Sequence, residues 1–203
     1  MLQTQTVVPD LLELLKKIMS EPLFRDYFLV GGTALALQIG HRNSIDIDLF
    51  GDCEIKQVHF IEILKNFGEV IVTQSSKNVL ITKVNGIKVD FVNYKYPLLS
   101  NPIVIDSIRM LTAEDISAMK LNAIAGRGSK KDFIDLYFLM NQYSLAEMLT
   151  FYNQKYIDGS IFMVLKSLSY FEDANEQLSP KMYQDFNWET CKQKIINEVI
   201  KLK

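Results

Sequence analysis

The fold is decided by the stretch RNSIDIDLF, residues 42–50, in which aliphatic and polar residues alternate. A period of two predicts a β-strand over Ser44–Phe50, with Ile45 and the aliphatic residues that follow it on one face. Asp46 and Asp48 then leave the other face side by side. Aspartate is depleted in strands, and two adjacent negative charges repel each other, so this pair needs an explanation that offsets the repulsion. A divalent cation with oxygen ligands supplies one, and a solvated strand face is the alternative.

The stretch GGTAL, residues 31–35, precedes that strand and follows the apolar run Tyr27–Val30. We expect a buried strand over this run, a turn at the two glycines, and a short helix through Ile39 that Thr33 caps. Glycines let a backbone approach a phosphate, and a helix N-terminus offers N–H donors and a favourable dipole. An ordinary Gly-Gly turn is the alternative, and the P-loop pattern is not met because no Gly-Lys-Ser/Thr follows.

A third carboxylate is expected on a neighbouring hairpin. The runs Val70–Thr73, Val79–Val84 and Ile87–Val92 are rich in β-branched residues, and Asn85-Gly86 separates the last two. Asn-Gly between alternating runs predicts a tight hairpin, which puts Asp90 on its second arm. Three carboxylates from two strands can hold two metal ions that activate a hydroxyl and stabilise a leaving pyrophosphate. For Asp90 alone, an ordinary exposed aspartate near a hairpin is the alternative.

Helical periodicity and capping residues predict the remaining elements. The expected helices are Pro9–Met19, Lys56–Phe67, Thr112 to about Ala125, Ser129 to about Gln142, one from a capping box at Ser144 and Glu147, Ser160–Phe171, and two that start near Ser179-Pro180 and Asn187. The composition changes near Asn101-Pro102 from β-rich to helical. We therefore expect an α+β core over residues 1–105 and a helical C-terminal region over residues 106–203 packed on it.

Composition excludes several classes of protein. Lys and Arg total 22 and Asp and Glu total 24 among 203 residues, a net charge of −2. A coat of basic charge for non-specific nucleic-acid binding is therefore excluded, although a local basic cleft is not. Cys53 and Cys191 lack metal-ligand spacing. The start of the chain is unlike a signal peptide, and the longest uncharged apolar stretch, Tyr27–Gly40, is too short for a bilayer, so we expect a cytoplasmic protein with no membrane partner.

Taken together, the stretches at residues 31–35 and 42–50 resemble the nucleotidyltransferase fold shared with DNA polymerase β. Within that fold, the order Gly-Gly, Arg-x-Ser-x-Asp-Ile-Asp-Leu-Phe resembles the AbiEii/AbiGii toxin family, which includes the MenT toxins. Asp90 within Val-Asp-Phe resembles the third carboxylate of the fold. Downstream, KLNAIAGR at residues 120–127 and KDFIDLY at residues 131–137 are similar to a later segment of the family.

The resemblance implies an α+β nucleotidyltransferase fold, with a mixed sheet, flanking helices and a helical C-terminal part. It implies an enzyme that transfers a nucleoside monophosphate from an NTP to an acceptor hydroxyl and releases pyrophosphate. The expected cofactors are two Mg²⁺ ions, or Mn²⁺ in their place. The expected acceptor is tRNA, and the expected protein partner is a cognate antitoxin of a toxin–antitoxin or phage-defence system.

The resemblance also assigns residues. Asp46, Asp48 and Asp90 are expected as catalytic metal ligands, with Asp90 also helping to activate the nucleophile. Lys120 is expected to contact phosphate, and Asp132 to position the nucleotide or that lysine. The expected nucleotide-binding residues are Gly31, Gly32, Thr33, Arg42, Ser44, Arg127 and Lys131.

Spacing adds to this assignment for the second half of the chain. Lys120 and Arg127 share a helical face if their helix reaches that far, and Asp132 and Asp135 share a face of the next helix. Asp135 lies in an apolar stretch and needs a partner, which Lys131 or Arg127 can supply. The alternatives are an Asp132 that only interacts with a helix dipole and lysines that lie on a solvated surface.

A local basic lining would suit RNA phosphates. Its expected members are Arg109, Lys120, Arg127, Lys130 and Lys131.

Three other functions remain open at this point, because a fold does not fix the acceptor. A small-molecule adenylyltransferase acting on an aminoglycoside-like antibiotic would show an acidic pocket for a cationic drug. A non-catalytic nucleotide-binding regulator would bind NTP without releasing pyrophosphate. A protein-modifying enzyme would place the label on protein.

Overall fold

The computed structural model describes residues 1–202 of the chain. Its strands are β1 (Phe28–Leu29), β2 (Ile47–Gly51), β3 (Val70–Ser76), β4 (Val79–Val84), β5 (Ile87–Asn93), β6 (Ile103–Ile105) and β7 (Ile108–Met110). Its α-helices are α1 (Pro9–Ser20), α2 (Gly31–Ile39), α3 (Gln57–Lys65), α4 (Ala113–Gly126), α5 (Lys130–Leu139), α6 (Leu145–Lys155), α7 (Ile161–Ser167), α8 (Glu172–Asn175) and α9 (Trp188–Ile200).

Within residues 1–202, seven strands form one sheet in the order β3-β4-β5-β2-β1-β7-β6. The central β2 pairs parallel to β5 and antiparallel to β1, and β1 pairs parallel to β7. The sheet is therefore mixed, which confirms the α+β expectation. None of the helices in this part of the chain combines the length and the apolar character that crossing a bilayer requires.

The chain forms two compact units. The first contains Met1–Tyr96 and Pro102–Leu111, and the second contains Pro97–Asn101 and the chain from Thr112 onward. The first unit extends past residue 105 because β7 continues its sheet through the pairing of Leu29 with Met110.

The core of the first unit lies under one face of β2 and β5. Ile47 and Leu49 of β2, and Val89 and Phe91 of β5, are fully buried. Phe91 packs against Phe24, with ring centroids 4.9 Å apart, within an aromatic cluster of the same unit. Burial of this apolar face fixes the register, because a slip of one residue would turn the polar face inward.

Two elements begin at residues other than those predicted. β2 begins at Ile47 and not at Ser44, so Ile45 is exposed and not part of the core. The segment before β2 is instead held from outside the sheet, since Ser44 N donates to Thr6 O at 2.8 Å and the Thr33 hydroxyl donates to Asp46 O. α2 begins at Gly31, and the expected cap at Thr33 is wrong because Val30 is the N-cap.

Three predictions that rest on local turn and cap chemistry are confirmed. Asn85 and Gly86 have φ of 49° and 81°, as a type I′ hairpin requires, and Asp90 lies on β5. Ser144 and Glu147 form a reciprocal capping box at α6. Asn187 caps α9 through a bond from the Thr190 N–H.

Other predicted boundaries are wrong. The described residues between α8 and α9 contain no helix, so the expected start at Ser179-Pro180 is not found. α5 ends at Leu139 and α7 at Ser167, earlier than their apolar patterns suggested. The hairpin of β6 and β7 was missed, because its turn places Asp106 and Ser107 at positive φ without a glycine to mark it.

A buried ion pair organises the second unit. Lys155 Nζ of α6 lies 2.6 Å from Asp115 Oδ1 of α4, and neither side chain is exposed. Lys155 also donates to Pro97 O at 2.7 Å, and Asp115 accepts from Leu99 N at 3.1 Å. The pair thus fastens the Pro97–Asn101 segment to two helices of its own unit.

Replacing Asp115 with alanine leaves the Lys155 ammonium buried without its carboxylate. We expect Asp115→Ala to lower the free energy of unfolding by about 3–5 kcal/mol, measured by urea denaturation. Glu13→Ala is the control, because it removes an exposed ion pair with Lys17 and should leave the midpoint unchanged. Equal midpoints for both variants would contradict this role of the buried pair.

Candidate active site

Two of the three expected metal ligands face each other across neighbouring strands. Asp48 of β2 is directly opposite Asp90 of β5 in the parallel register. Adjacent strands lie about 4.8 Å apart, so these side chains emerge close together on the face opposite the core. Asp46 lies one residue before β2, on the irregular segment that Thr33 holds. We call Asp46, Asp48, Lys88 and Asp90 the acidic face.

Lys88 is the member of this face that sequence analysis missed. Its Nζ lies 2.5 Å from Asp90 Oδ2, and the side chains of Lys88 and Asp90 are 40% and 13% exposed. Burial alone would lower the pKa of Lys88, but the hydrogen bond to Asp90 and the charges of Asp90, Asp48 and Asp46 outweigh it and raise the pKa. The sequence did contain a signal for Lys88, because residues two positions apart on a strand lie on the same face.

The donor chemistry of the acidic face fits a divalent cation. Three carboxylates offer hard oxygen ligands, and Asp90 Oδ1 is buried and accepts no hydrogen bond from any residue in 1–202. A buried oxygen of this kind is costly unless it has a partner. Across the same residues, no three His, Cys, Asp or Glu side chains are gathered into a ready ligand set. The face therefore supplies oxygen ligands of the kind that a divalent cation takes.

The N-terminus of α2 approaches the acidic face. Gly31 has φ of +66°, and a Cβ at this position would lie 3.0 Å from Asp48 Oδ2. A Cβ on Gly32 would overlap Nη2 of Arg42, a residue that is only 2% exposed. Both glycines are thus required by close approach, and the first also by its backbone conformation. The positive end of α2 and the Arg42 guanidinium are brought together here.

The hydroxyls next to this turn hold the backbone. Thr33 is fully buried, and its Oγ1 lies 2.8 Å from Ser44 Oγ while donating to the main-chain oxygen of Asp46. Arg42 Nη1 donates to Asn43 O at 2.8 Å. These bonds fix the segment that carries Asp46, and the expected contacts of Thr33, Ser44 and Arg42 with a nucleotide stay predictions.

The expected residues of the second unit form their own cluster. Lys120 Nζ of α4 lies 2.9 Å from Asp132 Oδ1 and 2.6 Å from Asp135 Oδ2 of α5, and all three side chains are buried. Lys120 is thus a partner of Asp135, in addition to the candidates Lys131 and Arg127 that the sequence suggested. Lys131 is exposed in the first turn of α5.

Arg127 closes this cluster from the solvent side. Its Nε and Nη2 donate to the two oxygens of Asp132 at 2.9 and 3.1 Å, while 69% of its side chain stays exposed. Ser129 Oγ, a contact that sequence analysis missed, donates to Asp132 Oδ2 at 2.6 Å. Burial alone would raise the pKa of Asp132, but Lys120, Arg127 and Ser129 outweigh it and hold the pKa well below its usual 3.8.

The expected basic lining is wrong for three of its members, and the buried Lys120 of the cluster described above is the first of them. Arg109 donates to the main-chain oxygens of Met19 and Phe24 at 2.8 and 2.9 Å, so it supports the first unit internally. Lys130 is buried, donates to Asn175 O at 3.2 Å, and lies 5.2 Å from the centre of the Trp188 ring. The charge of Arg109 thus interacts with backbone carbonyls, and the charge of Lys130 interacts with a backbone carbonyl and an aromatic ring.

Comparison with known proteins identifies the family and the fold. Residues 13–106 match the family described as nucleotidyl transferase AbiEii toxin, type IV TA system. The uncharacterized protein aq_aa25 of Aquifex aeolicus (strain VF5) is 39% identical over 185 residues, which cover 87% of this chain and 88% of that one.

Two solved structures share the fold. JHP933 from Helicobacter pylori superimposes with a TM-score of 0.59 at 17% identity, covering 95% of this chain and 88% of that one. The nucleotidyltransferase toxin MenT4 from Mycobacterium tuberculosis H37Rv gives 0.54 at 14% identity, covering 96% and 83%.

The fold and the family match identify this chain as a nucleotidyltransferase. The chain belongs to the nucleotidyltransferase AbiEii toxin family, which confirms the resemblance carried by residues 31–50.

A methyl group at Gly32 would push the Arg42 guanidinium away from the first turn of α2. We expect Gly32→Ala to lower stability by about 1–3 kcal/mol and the rate of pyrophosphate release by about tenfold or more. The matched control is Gly126→Ala, because a Cβ there meets no atom within 4 Å. This control should gain about 0.5–1 kcal/mol and keep its rate, and a Gly32→Ala enzyme of normal rate would refute the requirement.

Asp132 should make stability depend on pH. Because its pKa is lowered on folding, its stabilising charge is fully present above the unfolded value of 3.8 and is lost as the pH falls below it. We expect Asp132→Asn to cost roughly 3 kcal/mol at pH 6. The gap to wild type should shrink by about 1 kcal/mol at pH 3. Urea titrations at both pH values measure it, and a gap independent of pH would contradict the ion-pair role.

Proposed function

We propose that this nucleotidyltransferase moves a nucleoside monophosphate from an NTP to an acceptor hydroxyl on tRNA, as the toxin of a toxin–antitoxin pair. The observation that carries the proposed site is the register of Asp48 opposite Asp90. The first turn of α2 approaches this pair so closely that a Cβ on Gly31 would lie 3.0 Å from Asp48 Oδ2. Carboxylates and a helix N-terminus complement each other at such a site, because carboxylates attract cations and a helix N-terminus attracts phosphate.

The triphosphate is bound at the first turn of α2. The backbone N–H groups of the first turn have no partner within the helix, and Gly31 and Gly32 leave room for phosphate oxygens. The Arg42 guanidinium, held beside Gly32, adds a fixed positive charge. Thr33 and Ser44 keep this turn at a set distance from Asp46.

Asp46, Asp48 and Asp90 would hold the divalent cations, Mg²⁺ or Mn²⁺. When bound, such ions neutralise the charge of the triphosphate and of the leaving pyrophosphate and lower the pKa of the attacking hydroxyl. Asp90 takes the proton of that hydroxyl as general base. The hydroxyl oxygen forms a bond to the α-phosphorus, the bond from this phosphorus to the bridging oxygen of the β-phosphate breaks, and pyrophosphate leaves with its electron pair.

The cluster of the second unit is assigned to phosphate contact and its support. A phosphate contact of Lys120 is unfavourable because its ammonium is buried between Asp132 and Asp135, so we assign Lys120 to the support of this segment. Arg127 and Lys131 are the exposed cations of this segment and can reach an anionic ligand. Arg109 and Lys130 serve the fold, so they are not part of the basic surface proposed to meet tRNA phosphates.

A labelling assay tests the proposed function. Purified protein is incubated with Mg²⁺, each α-labelled NTP in turn and total tRNA, with and without EDTA. We expect label on tRNA with one preferred NTP, and a loss of at least about 100-fold in Asp48→Asn, which removes one charge from the acidic face. Asp52→Asn is the matched control, because this exposed aspartate follows β2 directly and should keep its rate within about twofold.

The place of the label separates the remaining functions. Label on protein alone would overturn the tRNA acceptor in favour of protein modification. Bound NTP without label on any macromolecule would favour a small-molecule acceptor or a regulator. Full activity of Asp48→Asn would overturn the assignment of the acidic face itself.

A further inference from the structure

Lys88 lies on the same face of the sheet as Asp48 and Asp90. Asp48 lies opposite Asp90 in the parallel register of β2 and β5, and Lys88 precedes Asp90 by two residues on β5. Asp46 immediately precedes β2, on the segment that Thr33 holds. Three carboxylates proposed as metal ligands and one ammonium are thus gathered where β2 and β5 begin.

The ammonium uses one of the oxygens that a metal would need. Lys88 Nζ lies 2.5 Å from Asp90 Oδ2, while the buried Oδ1 of the same carboxylate accepts no hydrogen bond within residues 1–202. An ammonium and a divalent cation repel each other and cannot both bind Oδ2 closely. The Lys88 side chain is 40% exposed and flexible, so it can swing into solvent without unfolding the strand.

We propose that Lys88 is a built-in counter-ion that holds the acidic face in the metal-free protein and is displaced when a divalent cation binds. This inference rests on the proposed function, because it takes the three aspartates as the metal ligands. It makes Lys88 a positioning residue that acts through Asp90. Without it, three carboxylates would repel each other in the empty site; with it, metal binding is weakened until the ammonium leaves.

The first test measures binding of Mn²⁺ alone by electron paramagnetic resonance, without nucleotide. We expect Lys88→Met to bind Mn²⁺ at least tenfold more tightly than wild type. The matched control is Lys83→Met, because Lys83 of β4 is directly opposite Lys88 and loses the same charge one strand further from β2. This control should change the affinity by less than about threefold, since it lies beyond the contact with Asp90. Equal effects of the two variants would overturn the proposal.

The second test uses the unmodified chain, so it does not depend on how a variant folds. Lysines are acylated briefly with an N-hydroxysuccinimide ester, and the extent at Lys88 is read by mass spectrometry. We expect Mn²⁺ to increase acylation of Lys88 about threefold or more, because the released amine is more accessible. Lys83 should be unaffected, and Asp48→Asn, which weakens the metal site, should abolish the increase. Unchanged acylation of Lys88 under saturating Mn²⁺ would overturn the displacement.

The combined results separate this inference from the proposed function. Binding of Mn²⁺ that is lost in Asp48→Asn but unaltered in Lys88→Met would remove the role of Lys88 and keep the metal site. Binding that is equal in wild type and Asp48→Asn would overturn both. Binding detected only in Lys88→Met would support the counter-ion role in its strongest form.

Discussion

The parallel pairing of β2 with β5 is the constraint on which the first unit depends. One face of this pair buries Ile47, Leu49, Val89 and Phe91, so the register cannot slip. The same register then fixes the opposite face, where Asp48 and Asp90 meet although their charges repel. Burial of the apolar residues on one face thus holds these two carboxylates close together on the other face, although they repel each other.

Sequence patterns predicted the parts of this site that depend on near neighbours. The alternation around Asp46 and Asp48, the Asn85-Gly86 turn and the Ser144 capping box involve residues a few positions apart, and their chemistry is visible in the chain. The start of β2 depended instead on Thr6 and Thr33, which reach it from other elements. No local pattern could show that these contacts would make the strand begin only at Ile47.

The contacts of individual basic residues could not be predicted either, because they too depend on residues that are distant in the sequence. Arg109 and Lys130 carry the same charge as Arg127, and only tertiary contacts distinguish them. Arg109 donates to main-chain oxygens as far away as 90 positions, whereas Arg127 pairs within five. Lys88 is the opposite case, since its position two residues before Asp90 was readable from the strand alone. The roles of the aspartates as metal ligands stay predictions that fit this geometry.

Gly32 and Arg42 share one small volume, because the guanidinium occupies the space that a side chain on Gly32 would need. The two positions are therefore coupled over evolutionary time. A homologue with alanine at the first position has to shorten or redirect the residue at the second. Correlated substitutions at residues 32 and 42 in distant sequences would show where the first turn of α2 has kept this arrangement and where it has changed.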